Sequence, residues 1–211
     1  MKEFLKKYPL LFWFQIIMAW FYAVPQIYGI LSGRTQGLTL VLYVNFLAYV
    51  TLSWFLAFAA YKQDRNAIRK SIVVVFSQWI IFLILIVILG FGKIVWRGED
   101  TIICLVILGL STFTMIVFHG VNNPFSKGWL AVWFKSVPQL WLAYTIYSAS
   151  GGSGLPVITL IAGHLTAIPR LGNVVWAGYR GGWDEPTQGL LLGESMNVLT
   201  WLVVTIVWLI Y

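Results

Sequence analysis

Cysteine, charge and acid are what this 211-residue chain has least of: one cysteine, 10% charged residues, and 7 Asp and Glu against 14 Lys and Arg. With Cys104 as the single thiol, an intrachain disulfide and any multi-cysteine metal site are excluded. Soluble domains carry roughly a quarter charged residues. A chain that is 10% charged and 60% hydrophobic cannot fold as one of them. Polar stretches are also too short for a separate catalytic or regulatory domain, so any function must reside among the apolar segments. Intramembrane chemistry would need a nucleophile with its base, paired acids or clustered metal ligands. His119, His164 and Glu194 are scattered instead, so the chain is read as no enzyme, with no cofactor and no metal.

What the sequence does have is long apolar runs. A spanning helix needs about 20 mostly apolar residues. Seven such windows can be drawn, at 9–31, 38–60, 71–92, 101–119, 128–149, 155–178 and 190–211. The expected class is therefore an all-α membrane protein with seven transmembrane helices, partnered by the lipid bilayer. Leu10 to Leu31 is too long for a signal peptide and lacks a small-residue cleavage site after it, so the first helix is expected to be retained. In this layout Lys2, Lys6, Lys7, Lys62, Arg65, Arg69, Lys70, Lys127 and Arg180 fall on one side, against Arg34, Lys93 and Arg97 on the other. Cytoplasmic loops carry the Lys/Arg excess, which predicts a cytoplasmic N-terminus and an external C-terminus. These scattered basic residues are orientation signals, and no nucleic-acid partner is expected.

The chain also repeats itself. Trp20-Phe21-Tyr22-Ala23-Val24-Pro25-Gln26-Ile27 returns 113 positions later as Trp133-Phe134-Lys135-Ser136-Val137-Pro138-Gln139-Leu140, with five of the eight positions identical. This offset places helix 5 on helix 1, helix 6 on 2 and helix 7 on 3, with helix 4 unmatched. The predicted organisation is three plus one plus three: a first repeat over 1–92, a linker helix with its loops over 93–127, and a second repeat over 128–211. An odd linker gives the two halves the same orientation, a parallel repeat about an axis along the membrane normal, with a path between them. One copy can form such a path, so an oligomer is not required. A second self-match, Thr35-Gln36-Gly37-Leu38 with Thr187-Gln188-Gly189-Leu190, would put helix 7 on helix 2. Convergent helix capping by Thr accounts for it, and the longer match sets the register.

Val24-Pro25-Gln26-Ile27 followed by Gly33-Arg34-Thr35-Gln36-Gly37-Leu38-Thr39 resembles the PQ-loop family. The second copy keeps Pro138-Gln139 and Gly154-Leu155 but has Ser150-Gly151-Gly152-Ser153 where the first has a basic loop. This group includes the SWEET sugar facilitators, the lysosomal cystine and cationic amino-acid exporters and, more distantly, the KDEL receptor. The resemblance implies a seven-helix 3+1+3 carrier of small molecules. Family members usually have an external or luminal N-terminus, whereas the charge count here points the other way. The cavity acids of proton-coupled cystine carriers have no clear match.

Pro25 and Pro138 sit several turns inside their helices, where each removes a backbone hydrogen bond and crowds the preceding turn. They are read as hinges, with static kinks as the alternative. Gln26 and Gln139 follow directly and can bond the freed carbonyls or a ligand. Pro169 is a third break, in helix 6. Residues four apart share a helix face, which puts Tyr22 over Gln26 and Lys135 over Gln139. Lys135 lies seven residues past Gly128, roughly 10 Å along the axis. Burying it unpaired costs about 3 kcal/mol on insertion scales, so it either snorkels or binds an anionic group in a cavity. Glu194, Asn197 and Trp201 form one stripe, and Asn45, Tyr49 and Ser53 another; both are read as solute contacts or interhelical bonds. The SWEET resemblance implies an asparagine on the third helix of each half at the sugar site, which carries over to Asn197 and, loosely, to Gln78. Trp20 and Trp133 can stack on a ring face or serve in packing. His164 could relay a proton with Glu194, or bond a neighbouring helix. Arg170 either pairs with an acid or reaches a surface, and His119 with Asn122-Asn123-Pro124 reads as a loop.

These readings predict a transporter that moves a small polar solute, a sugar, amino acid or related metabolite, by alternating access between two halves, with proton coupling as an option. The alternative is a receptor of the KDEL type, which needs a cytosolic tail that a chain stopping at Tyr211 does not offer.

Overall fold

Hydrocarbon offers no partner to a backbone amide, so apolar runs of this length become helices whose hydrogen bonds close within the segment. The computed structural model describes residues 10–121 and 123–211. Lys2, Lys6, Lys7 and Asn122, which entered the charge count and the loop reading, lie outside the described residues. The helices are α1 (Leu10–Leu31), α2 (Leu40–Gln63), α3 (Ala67–Gly90), α4 (Gly98–Val117), α5 (Pro124–Ala131), α6 (Val137–Ser148), α7 (Val157–Gly181) and α8 (Glu185–Ile210). A π-helical turn, Val132–Ser136, joins α5 to α6, so the eight segments make seven rods. Among the described residues, six helices, α1 to α4, α7 and α8, are long and apolar enough to cross a membrane. The chain is an all-helical, multi-pass membrane protein.

The rods match the apolar windows in the middle and depart from them at the ends, where caps decide. Asn66 accepts from the Arg69 N–H, starting α3 at Ala67 rather than 71. Asp184 accepts from the Thr187 N–H at 2.9 Å, starting α8 at Glu185 rather than 190. The caps also correct the Thr reading of the second self-match. The residue capping α2 is Thr39, which accepts from the Val41 N–H, while Thr187 lies inside the first turn of α8. A polar side chain that takes up an orphan first-turn N–H extends a helix past its apolar span.

Proline shapes the two related rods differently. Pro138 has no N–H and its ring crowds the turn before it, and here that turn widens: the Val137 N–H reaches the Val132 carbonyl, five residues back. Pro25 and Pro169 sit inside α1 and α7, each a continuous α-helix.

Within the bundle α3 lies against both α1 and α2, and α8 lies against α5, α6 and α7. Further contacts cross between these groups, α1 with α7 and α2 with α6 and the π turn that precedes it. α4 leans on α5, α2 and the π turn. Small residues set the closest approach: a Cβ added at Gly189 would collide with the Pro124 carbonyl, one at Gly128 with the Gly189 carbonyl, and one at Gly193 would come within 2.9 Å of the Ala131 Cβ. Such small-residue faces let backbones pack tightly where apolar surface alone gives helices no reason to associate in lipid.

Gly189→Ala should therefore cost about 1–3 kcal/mol as an overpacked contact, read as a lower midpoint in thermal or denaturant unfolding in detergent. Gly109→Ala on α4, where a Cβ meets nothing within 4 Å, should be neutral or stabilising. The Asp184 cap adds a pH signature. Its hydrogen bonds from Thr187 hold the carboxyl below its ordinary value of 3.8. A lowered value means stabilisation that is complete well above pH 3.8 and lost as the pH falls through the native value. The stability gap between the wild type and Asp184→Ala should be full at neutral pH and close in acid.

Candidate functional site

The two ends of the bundle are built differently. At one end the α1–α2 loop (32–39) and the α6–α7 loop (149–156) interlock. Gln36 donates from Nε2 to the Ala149 carbonyl and accepts at Oε1 from the Ser153 hydroxyl, both at 3.0 Å. The Gly154 N–H donates to the Gln36 carbonyl at 3.0 Å. Buried Gln26 reaches across from α1 to donate to the Gly154 carbonyl at 3.0 Å, and Thr145 donates to the Gly37 carbonyl at 2.7 Å. Gly37 is required here: its φ of 74° is left-handed, and a Cβ would strike the Gly151 carbonyl. Beside this seal Asp100 is buried at the head of α4, accepting from Thr39, from the Trp141 indole at 2.6 Å and from the Arg97 N–H at 2.8 Å. Three donors satisfy a carboxylate that makes no ion pair among the described residues.

Toward the other end the rods part. A chamber of about 420 Å3 opens between α2 and α3 on one side and α5 and α8 on the other, walled by Tyr49, Leu52, Ile72, Leu130, Leu190 and Glu194. A second chamber of about 320 Å3 adjoins it, sharing Tyr49, Ile72, Leu190 and Glu194 and adding Gln15, Arg170 and Asn173. A deep recess of about 40 Å3, which shares Tyr49 with both chambers and Phe76 and Arg170 with the second, is framed by Tyr22, Trp79, Lys135, Arg170, Asn197 and Trp201. The recess is an aromatic box, tight in this conformation.

A chain of polar contacts runs along its wall. Thr200 donates to Gln139 Oε1, and Gln139 Nε2 donates to Asn197 Oδ1 at 2.9 Å. Asn197 Nδ2 then faces Glu194 Oε2 at 3.5 Å, and Lys135 Nζ meets Glu194 Oε1 at 3.2 Å. The Lys135 ammonium also sits 5.3 Å from the centre of the Tyr49 ring. Lys135 is 11 residues into the rod that begins at Pro124, roughly 16 Å along its axis at 1.5 Å per residue, which is about half a bilayer core. Its side chain is 3% exposed and that of Glu194 13%. The lysine therefore does not snorkel: it is held at depth by a carboxylate.

Of the residues singled out in the sequence, Lys135, Tyr49, Asn197 and Glu194 come together here, and Gln139 stands directly behind Asn197. Others go elsewhere. Asn45 turns back onto its own helix, donating to the Val41 carbonyl at 2.8 Å, and meets Cys104 of α4 at 3.4 Å, so it ties α2 to α4 and does not face a chamber. Gln78 donates to the Ile16 carbonyl at 3.2 Å and ties α3 to α1. Trp20 is 54% exposed on the outer face, edge-on to Phe82, and with Pro25 walls a shallow apolar groove on the periphery. Trp133 donates to Thr114 of α4 at 2.9 Å and stacks on Trp129. Neither tryptophan lines a chamber, because an indole with apolar body and one donor is satisfied by lipid and a single hydroxyl. His164 bonds Thr205 at 2.6 Å. Thr205 is 11 residues beyond Glu194 on the same helix, roughly 16 Å, so the His164–Glu194 proton pair is not formed.

Arg170 is the residue whose place the sequence left open, and it lines both the second chamber and the deep recess. Gln36, Thr200 and Asp100 were missed. Thr200 could have been found three residues after Asn197, and Gln36 inside the motif loop, but nothing local marked Asp100 beyond an acid in a helix's first turn. Compared with family models, curated proteins and solved structures, the chain matches none.

Removing one partner of a buried ion pair strands the other, at about 3–5 kcal/mol. Lys135→Ala should show a loss of that order in unfolding experiments, and Lys135→Met with Glu194→Gln should recover most of it. A Lys135→Ala protein as stable as the wild type would show that the pair is structurally idle.

Proposed function

We propose that the protein is a carrier that moves a small polar solute through the bilayer by alternating access between two three-helix groups, α1–α3 and α5–α8, with α4 as their linker. The observation that carries this is a charged, aromatic recess near mid-bilayer that is lined from both groups, walled off at one end and open at the other. Several features support the repeat behind it. In each group the third helix lies between the first two, and the contacts between groups are reciprocal, first helix to second and second to first. Tyr22 and Lys135, at matching positions, both frame the recess. The motif loops meet each other at the closed end, as a PQ-loop arrangement would have them.

In this reading the Pro138 break is the stronger hinge, because a π turn beside it already departs from α-helical spacing. Pro25 is the weaker one, facing an apolar groove within an unbroken helix. The open chambers lie at the end that carries Lys62, Arg69, Lys127 and Arg180, which by the charge rule is cytoplasmic. The state at hand is then inward-open.

The test is solute exchange in liposomes, screened with labelled sugars, amino acids and organic acids. For a solute that exchanges, Asn197→Ala should lower the rate at least tenfold and Gln78→Ala by less than twofold. Cysteines at Gln36 and Ser153, in a Cys104→Ser background, should cross-link on mild oxidation and stop exchange until reduced. Exchange that continues with the loops cross-linked would end the alternating-access proposal.

A further inference from the structure

We infer that the solute carries a single carboxylate on a small apolar or aromatic body, recognised through Arg170. This rests on the carrier reading for its meaning in transport, but it concerns the site alone. Among the described residues, the charges around the recess do not balance. Lys135 and Arg170 contribute two positive charges and Glu194 one negative, leaving one positive charge uncompensated at this depth. Lys127, on the wall of the first chamber only, lies outside that group. Lys135 is committed to Glu194 and to the face of Tyr49. Arg170 makes no hydrogen bond or ion pair among the described residues, although Glu194 lies near enough to feel its field.

A guanidinium offers five N–H donors in a planar fork and no acceptor. It matches a carboxylate with two parallel bonds. A charged side chain inside a membrane protein ordinarily finds a partner or a water-filled cavity, because leaving it bare in hydrocarbon is costly. Arg170 faces the chambers, so the partner it lacks within the chain is one that a solute can bring. The size of the imbalance sets the class. A monoanion brings the group to neutrality, a dianion would overshoot against Glu194, and a cation would add to the excess. A neutral sugar would need several free amides, whereas Asn197 is already engaged by Gln139 and Glu194. Phe76, Trp79 and Trp201 beside Arg170, with Leu52 and Leu130 in the adjoining chamber, supply the surface for an apolar body.

The experiment is a thermal-shift series on the purified full chain with acetate, benzoate and indole-3-acetate, each against its own amide at equal pH and ionic strength. A ligand that binds the folded state alone raises the midpoint by mass action. At least one acid should raise it where its amide does not. Arg170→Gln should weaken that acid at least tenfold while melting within a few degrees of wild type when unliganded, and Arg170→Lys should keep part of the affinity. Should Arg170→Gln fail to fold, phenylglyoxal labelling of wild-type Arg170, read by mass spectrometry, should be blocked by the acid and not by its amide. The inference is overturned if no acid outperforms its amide, or if binding is indifferent to Arg170. Exchange of neutral solutes without acid binding would leave the carrier standing and remove the anion. Acid binding through Arg170 with no solute crossing the membrane would do the reverse.

Discussion

A charge near the middle of a bilayer has to find its compensation inside the protein, and Lys135 is where that requirement falls hardest. An unpaired lysine there costs about 3 kcal/mol even on the lenient insertion scales. Glu194 at 3.2 Å answers it, and much of the second half of the bundle follows from the pairing. The two residues belong to different rods, the π turn and α8, so the rods must come close enough for a lysine and a glutamate to meet. Gly128, Gly189 and Gly193 make that approach possible, because side chains there would hold α5 and α8 apart. The remaining glutamate oxygen then faces Asn197, whose own carbonyl is bonded by Gln139, and Thr200 completes the set. Glycines allow the approach, the approach permits the ion pair, and the ion pair orders the polar wall of the recess.

The two copies of the repeated motif have kept its residues and parted in how they use them. Gln139 stays within its own group and braces Asn197. Gln26, its counterpart, leaves its group and bonds the Gly154 carbonyl in the opposite loop. The difference follows from position −4 to each glutamine. Where that residue is Lys135, an acid must be brought in and a network grows around it. Where it is Tyr22, no charge needs an answer, and the residue packs against Trp79 and Trp201. One half thus contributes the charged face of the recess and the other its aromatic face. On the proposed reading, a recess whose charges come mainly from one side would suit a solute with a charged end and an apolar end.

What the sequence made legible was whatever depends on local composition. The seven apolar windows became seven rods, and Lys135, Tyr49, Asn197 and Glu194 were marked out by polarity at helical spacing in an apolar background. Polarity alone does not say which way a helix faces. Asn45 lies four residues before Tyr49, on the same face, yet one turn along the axis the neighbour changes from a chamber to α4, and the amide is spent on Cys104 and its own backbone. Gln78 fails for the same reason against α1. Symmetry singles out Trp20 and Trp133, but an indole is content at a lipid boundary. The π turn was not visible because proline at Pro25 and at Pro138 reads identically, and only the packing around each decides whether the preceding turn widens.

On the proposed carrier reading, which contacts give way when the recess exchanges its access is decided by their cost. Between α5 and α8 the backbones meet through glycines, and the rods are further joined by a buried ion pair, so separating them would strand two charges in hydrocarbon. The loops at the closed end are joined across the groups by five hydrogen bonds, from Gln26, Gln36, Thr145, Ser153 and Gly154. Each is worth about 0.5–1.5 kcal/mol net, because water replaces it when the loops part. Together that is a few kcal/mol, the range within which a minor state stays populated and a differentially bound ligand shifts the balance. Motion between the groups is therefore affordable, while motion within α5–α8 is not. On that reading, a solute that supplies negative charge near Arg170 would act on that balance directly, since it would neutralise the excess positive charge among the described residues around the recess. On the proposed reading, the seal that opens is the one made of neutral bonds between the two loops, and the charged wall travels as a unit.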